Sequence, residues 1–304
     1  MVHLEDATIE TLIDLPTMTD RLEEAWLDLA KGEAATTLRV RSGVDKVLAS
    51  AMAAALPNRG VAGGKLYIHH PNGFDFVVVL FSAGGGVLAT LDANALTAVR
   101  TAAASAVAMR HLAPAGAHVG AVLGTGLQST WHAAALAQET GLDELRLWGR
   151  TPEKVAELAA WCGDHDIPAT VVADANDAVD GADVVCTVTA SYTPLFDGAR
   201  LNDQALICAV GATKPDRREL DQTTIARAAV IVADGVDGAK NEAGDLIQAG
   251  DAVDWARVFD MRDIVAGTAD LPPQPRGIVL FESQGIALQD MAAAALAYER
   301  WSER

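Results

Sequence analysis

The sequence predicts an α/β chain: a Rossmann-type doubly wound parallel sheet, accompanied by a second domain organised around an antiparallel sheet. Three observations predict it. Residues 118–131 read HVGAVLGTGLQSTW, a strand, a glycine turn and a helix start in succession. Buried-type apolar runs separated by helical segments recur after that turn. Before it, alternating stretches joined by glycine turns read as an antiparallel meander.

In the first observation, Ala121, Val122 and Leu123 form the apolar run, Gly124-Thr125-Gly126 breaks it, and Leu127 to Leu136 has helix-forming composition. Backbone N–H groups at a helix start point outward, the helix dipole favours negative charge, and a residue without Cβ admits a ligand closely. The arrangement suits a diphosphate, with the small Ser129 at the third position of the G-x-G-x-x-G pattern.

Ahead of the turn, residues 18–30 carry Leu22, Ala25, Trp26 and Leu29 at helical spacing, with Thr19 or Asp20 as cap. Residues 36–42 alternate as a strand with Arg39 and Arg41 on one face, either a solvated edge or a fork for a carboxylate. Residues 46–55 read as another strand, and Lys65 opens a further one just after Gly63-Gly64. His69 and His70 are adjacent, so on a strand they point to opposite faces; no metal site is expected. Residues 76–81 form a core strand, and Gly84-Gly85-Gly86 turns into another over 87–91. Residues 94–111 predict a long alanine-rich helix with Thr97, Arg100, Thr101 and Ala104 on one face. A guanidinium there needs an anion, from a protein carboxylate or from a ligand.

After the turn, residues 145–148 form a strand ending in Gly149-Arg150-Thr151, and Pro152 opens the next helix. In a dinucleotide fold this strand end reads the adenosine ribose. A carboxylate there accepts from a 2′-hydroxyl, whereas an arginine accommodates a 2′-phosphate. Arg150 and Thr151 therefore favour NADPH, with NADH possible; the alternative is that Arg150 stacks on the adenine. Strands over 170–173, 182–189, 206–211, 230–233 and 278–281 continue the alternation, and 285–301 closes it as a helix. Thr187 to Ser191 and Gly211 to Pro215 lie at strand carboxyl ends, where such sheets bind ligands.

At 304 residues and half hydrophobic, the chain has enough material for two domains. A net charge of −18 excludes general binding to nucleic acid or to an anionic membrane, both of which need a basic face. Cys162, Cys186 and Cys208 have no C-x-x-C spacing and read as reduced core residues. With polar residues interrupting the first fifteen and no apolar run of spanning length, the expected location is the cytoplasm.

The runs LTAVRTAAASAVAMRHLA (96–113), VGAVLGTGLQS, GGKLYIHHPN (63–72), AVGATKPDRRELD (209–221) and FESQGIALQD (281–290) together resemble the ornithine cyclodeaminase and mu-crystallin family. The resemblance implies a dinucleotide-binding domain, 113–285, inserted into an α/β substrate-binding and dimerisation domain made of 1–112 and 286–304, in a homodimer. It implies nicotinamide-dependent interconversion of small anionic imino and amino acids. Arg39, Lys65 and Arg100 match the positions that gather the substrate carboxylate, with Arg41 as the substitute should Arg39 be misplaced. Thr213 stands where ornithine cyclodeaminases carry an aspartate for the substrate's amino group, and it cannot supply that charge. The GATKPDRREL run instead resembles the ketimine-reductase branch.

The implied function is hydride transfer to the C=N carbon of a 2-imino carboxylate, cyclic or open-chain, giving an L-amino acid. Lys65 serves as carboxylate ligand and candidate proton source, and His69 is the nearest other acid. The cofactor-contacting set is Thr101, Gly124, Thr125, Gly126, Leu127, Gln128, Arg150, Thr151, Thr187, Gly211 and Ser283, the last in a turn expected at the nicotinamide end. The competing functions are an ornithine or lysine cyclodeaminase, an alanine-dehydrogenase-like enzyme, and a non-catalytic crystallin-like binder of the cofactor. Residues 82–86 are shorter than the family pattern, which alters the expected pocket there.

Overall fold

Alternation of inward and outward residues between 35 and 92 builds the first of two sheets. The computed structural model describes residues 1–271 and 277–304 and separates into two units, 1–104 with 285–304, and 105–284; the division falls inside one helix. The first unit runs β1 (Val2–Leu4), α1 (Asp6–Glu10), α2 (Leu15–Ala30), β2 (Ala35–Thr36), β3 (Val40–Val44), β4 (Val47–Leu56), β5 (Val61–His70), β6 (Gly73–Ser82), β7 (Val87–Asp92) and the start of α3 (Asn94–Leu112). The sheet order is β1-β7-β6-β5-β4-β2, with β3 also on β4; pairing is antiparallel except for β1 beside β7.

Three details differ from the sequence reading. Helix α2 starts three residues early, because Asp14 caps it by accepting from the Thr17 N–H at 2.8 Å, and Pro16 sits in the first turn, where no N–H is needed. The strand expected over 36–42 is two pieces, β2 and β3, with Arg39 between them. Lys65 lies in mid-strand rather than at a strand start, in register with Met52 of β4 and Val78 of β6. The C-terminal helix crosses this same face, where the bare Gly63 leaves room for the Met291 sulfur.

The second unit runs β8 (Val119–Leu123), α4 (Leu127–Glu139), β9 (Glu144–Trp148), α5 (Pro152–Asp164), β10 (Ala169–Val171), α6 (Ala175–Val179), β11 (Val184–Thr187), β12 (Leu206–Ala209), α7 (Gln222–Arg227), β13 (Ala228–Ala233), α8 (Val236–Glu242), α9 (Gly244–Ala249), β14 (Val258–Asp260), α10 (Met261–Val265) and β15 (Ile278–Glu282); α11 (Ala287–Ser302) is the C-terminal helix of the first unit. All pairs are parallel, in the order β10-β9-β8-β11-β12-β15-β13-β14. The central strands are apolar on both faces, as a sheet covered by helices on both sides requires. Cys186 and Cys208 are side by side across β11 and β12, buried and free, as is Cys162 in α5. Strand order reverses between β8 and β11, the switch point at which open α/β sheets bind ligands.

Candidate functional site

At the switch point, the chain leaves β8 through Gly124 at φ +131°, a conformation L side chains rarely adopt. A Cβ there would come within 2.8 Å of the Val188 carbonyl, so glycine is required both for the turn and for the close approach of the β11 end. Gly126 then caps α4 with no side-chain hydrogen bond to the first turn, and a Cβ built on it meets nothing within 4 Å. Open space in front of uncapped N–H groups fits a diphosphate. Ser129 turns back into the helix and donates to the Gly126 carbonyl at 2.6 Å, while Leu127 is exposed. Thr125 packs against Gly149 at the end of β9, and Gln128 follows in the first turn of α4. Arg150 and Thr151 come next, both exposed, with Thr151 capping α5. The cradle thus fits a dinucleotide, and Arg150 stands where the adenosine ribose of one would be read.

The rim of the same unit is fixed by a carboxylate the sequence reading passed over. Glu219, fully buried, accepts from the Thr187 hydroxyl at 2.9 Å, the Thr189 N–H and hydroxyl at 2.6 Å each, and the Gly211 N–H at 2.8 Å. Thr187 and Gly211 therefore sit at the predicted strand ends, but the Thr187 hydroxyl is turned inward. Asp245, equally buried, accepts from the Glu219 and Leu220 N–H groups at 2.7 Å. Ser283 follows β15 and donates to Asp234 at 3.2 Å. Burial pushes the Glu219 carboxyl up to about 7 and Asp245 to about 6. Glu282 rises well above its usual range through burial and the neighbouring Asp245, Glu219 and Asp234. Thr213 is half-buried, its N–H donating to the Gly211 carbonyl at 3.0 Å.

In the first unit, β5 and α3 bring two predicted cations together. Lys65 Nζ and Arg100 Nε both donate to a single oxygen of Asp290, at 3.2 and 3.0 Å. Asp290 is fully buried on α11, and its other oxygen has no partner among the described residues. Arg100 also donates to the Gln289 side chain at 2.6 Å, and Lys65 to the Thr97 hydroxyl, which itself donates to the Ala93 carbonyl. Thr101, one turn further along α3, donates to the Thr97 carbonyl. Arg39 donates to the Gly285 carbonyl at 2.7 Å, and its guanidinium and the Lys65 ammonium lie 6.0 and 5.9 Å from the Tyr67 ring centre. Gly285 has φ +77°, and a Cβ there would meet the Arg100 guanidinium at 2.8 Å, so the turn before α11 must be glycine for Arg100 to hold this position. Arg41 lies on β3, one alternation further from Lys65.

Burial lowers the Lys65 ammonium to about 8; Asp290 opposes that, and Arg100 and Arg39 add to it. Two buried cations sharing one carboxylate oxygen leave positive charge uncompensated between them, and a second carboxylate is the anion that would match it. Of the predicted set, Lys65, Arg100 and Arg39 converge; Asp290 and Gln289 are the additions.

The fold and these two constellations define a class: α/β proteins pairing a dinucleotide-type glycine turn with a cation cluster suited to a small carboxylate. The chain belongs to the ornithine cyclodeaminase/mu-crystallin family, whose model matches residues 1–304. It is 32% identical over 310 residues to the Delta(1)-pyrroline-2-carboxylate/Delta(1)-piperideine-2-carboxylate reductase of Azospirillum brasilense, covering 98% of this chain and 95% of that one. It is 36% identical over 228 residues to the ketimine reductase mu-crystallin of Mus musculus, covering 74% and 69%. Among solved structures, Delta(1)-pyrroline-2-carboxylate reductase of Thermococcus litoralis in complex with NADH and L-proline matches with a TM-score of 0.94 at 26% identity, over 100% of this chain and 98% of that one.

Proposed function

We propose that this protein is a nicotinamide-dependent oxidoreductase that reduces the C=N bond of a small 2-imino carboxylate to an L-amino acid. The observation that carries the reading is the buried pair Lys65 and Arg100 on one oxygen of Asp290, with Arg39 beside them. The reductases of pyrroline-2-carboxylate and related ketimines among its relatives support the same substrate chemistry.

When bound, the nicotinamide supplies the hydride. Lys65, Arg100 and Arg39 hold the carboxylate from fixed positions, so the adjacent carbon is presented in one orientation. Lys65, lowered to about 8, is protonated at neutral pH and close enough to its titration to release a proton toward an imine nitrogen. Thr213, a neutral side chain, gives no anchor for a second ammonium. Arg150 at the end of β9 favours NADPH over NADH.

Oxidation of NADPH and NADH, assayed in parallel with pyrroline-2-carboxylate, piperideine-2-carboxylate and iminosuccinate, tests this directly. Turnover favouring NADPH is the expected result. Absence of oxidation with every imine, in a protein shown to bind cofactor, refutes the reading.

We also propose a homodimer formed through the sheet face opposite Lys65. Leu38, Val40, Leu66 and Phe81 are exposed there around an apolar recess of about 590 Å3, and exposed apolar patches of this kind mark protein–protein contacts.

A further inference from the structure

The face of the first sheet that carries Lys65 continues past it as an aromatic shelf. The register sets three strips across the strands: Met52, Lys65 and Val78; then Arg41, Ser50, Tyr67 and Phe76; then Gly43, Leu48, His69 and Phe74. Successive strips are about 7 Å apart along the strands. The helix α11 reaches the inner end of this face at Gly63, whereas Tyr67, His69, Phe74 and Phe76 all keep partial exposure. Their rings form a continuous surface: Tyr67 and Phe76 centres are 5.2 Å apart, Phe76 and Phe74 stack at 5.7 Å, and Phe74 meets His69 at 4.7 Å. The Lys65 ammonium lies over the Phe76 ring at 4.7 Å, so the shelf begins at the group that takes the carboxylate. It ends at an open recess of about 590 Å3 lined by Gly43, Leu48 and His69, with the charged Asp45 and Lys46 at its wall as well. Within the middle strip the Ser50 hydroxyl is 98% buried and has no hydrogen-bond partner among the described residues.

We propose that this shelf receives the side group of the substrate and makes the enzyme selective for 2-imino carboxylates bearing a neutral aryl ring; the proposal rests on the imine-reductase reading above. With the carboxylate held at the first strip, a ring one methylene beyond the imine carbon falls on the second. There Phe76 and Tyr67 offer ring faces and edges for offset stacking, and Ser50 offers a hydrogen bond to a ring substituent. Leu48 and the recess beyond take the far edge. A second carboxylate in the same place would face the negative π-surfaces of Tyr67, Phe76 and Phe74 and lose its hydration. Arg41 shares the middle strip at its outer edge, and selection of a dicarboxylate by that arginine is the opposite outcome to the one proposed.

The test has a kinetic and a binding arm. In the first, kcat/KM is measured with the N-methyl imine of phenylpyruvate, pyrroline-2-carboxylate and iminosuccinate, for the wild type and for Phe74→Ala and Phe76→Leu. The aryl imine should exceed iminosuccinate at least tenfold, and each substitution should lower the ratio of aryl imine to pyrroline-2-carboxylate about tenfold. In the second, equilibrium dialysis compares phenylpyruvate with oxaloacetate, neither of which requires turnover to bind. Phenylpyruvate should bind at least tenfold more tightly, and Phe74→Ala should narrow the gap. Preference for iminosuccinate and oxaloacetate, or a ratio unmoved in both variants, overturns the shelf. If no imine is turned over but phenylpyruvate binds with this selectivity, the shelf stands and the reductase reading fails.

Discussion

At Lys65 the protein holds an ammonium almost wholly away from water and allows it one carboxylate oxygen, shared with Arg100. Its proton is weakly held, at about 8, because desolvation and the two guanidinium groups outweigh Asp290. The charged form is the one that binds a carboxylate, so affinity is full below that value and falls as pH rises through it. Binding of an unreactive analogue, pyrrole-2-carboxylate, should weaken above about pH 8 in the wild type. In Lys65→Arg the limb should vanish, since a guanidinium does not titrate in that range; in Asp290→Asn it should move to lower pH, since the opposing charge is gone. A limb unchanged in both variants would exclude Lys65 as the group responsible. Arg150 gives a second test at this scale. Arg150→Asp should shift the NADPH to NADH preference at least about tenfold toward NADH, because a carboxylate repels the 2′-phosphate and accepts from the 2′-hydroxyl; equal ratios in the two proteins would show that Arg150 does not read the phosphate.

At the scale of elements, buried acids accept hydrogen bonds from the ends of β11, β12 and β15. A carboxyl whose proton is held more tightly in the folded chain than in the unfolded one stabilises the fold below its unfolded pKa, and that contribution is lost as pH rises through the folded value. Glu219 at about 7, Asp245 at about 6 and Glu282, held by burial and the neighbouring acids well above the usual carboxylate range, therefore make the folded chain less stable on going from about pH 5 to pH 8. Glu282→Gln, which keeps the acceptor for Gln284 and removes the charge, should raise the melting temperature at pH 8 by roughly 2–4 °C and by less at pH 5. A gain equal at both values would assign the effect to packing. These elements also mark where the sequence was legible. Lys65 and Arg100 take their expected role only from the resemblance of their runs to the family, whereas the glycine turn announces itself locally, because it depends on neighbours within a few residues. Asp290 does not, because its partners lie 225 and 190 residues away and helical spacing alone makes it another exposed acid. Glu219 is concealed in the same way: in RREL it resembles a surface charge, and only the fold encloses it among Thr187, Thr189 and Gly211.

For the whole molecule, the net charge of −18 is spread over a surface that still exposes Leu38, Val40, Leu66 and Phe81 together on one sheet face. Self-repulsion between copies opposes association, so a dimer needs apolar burial to offset it, and the proposed interface would supply that at this face. Leu66→Glu and Phe81→Glu should convert a dimer into a monomer by light scattering after size exclusion, with the cofactor affinity kept. A wild type that runs as a monomer would refute the assembly. Both arginine variants of the cation cluster, Arg39→Ala and Arg100→Ala, should leave that dimer intact while raising the KM for an imine at least about tenfold.

Strand β15 lies between β12 and β13 although some forty-five residues of chain separate it from the end of β13, and α11 follows it directly. The consequence concerns synthesis. A nascent chain that has not yet emitted residue 278 has two unpaired inner edges in its parallel sheet and no helix to lie across its antiparallel one. The segment Ile278 to Arg304 thus acts as a closing piece for each of the two sheets. Until it emerges, the strand edges of β12 and β13 are exposed to other chains, so the aggregation hazard of these edges lasts at least until this segment has been made.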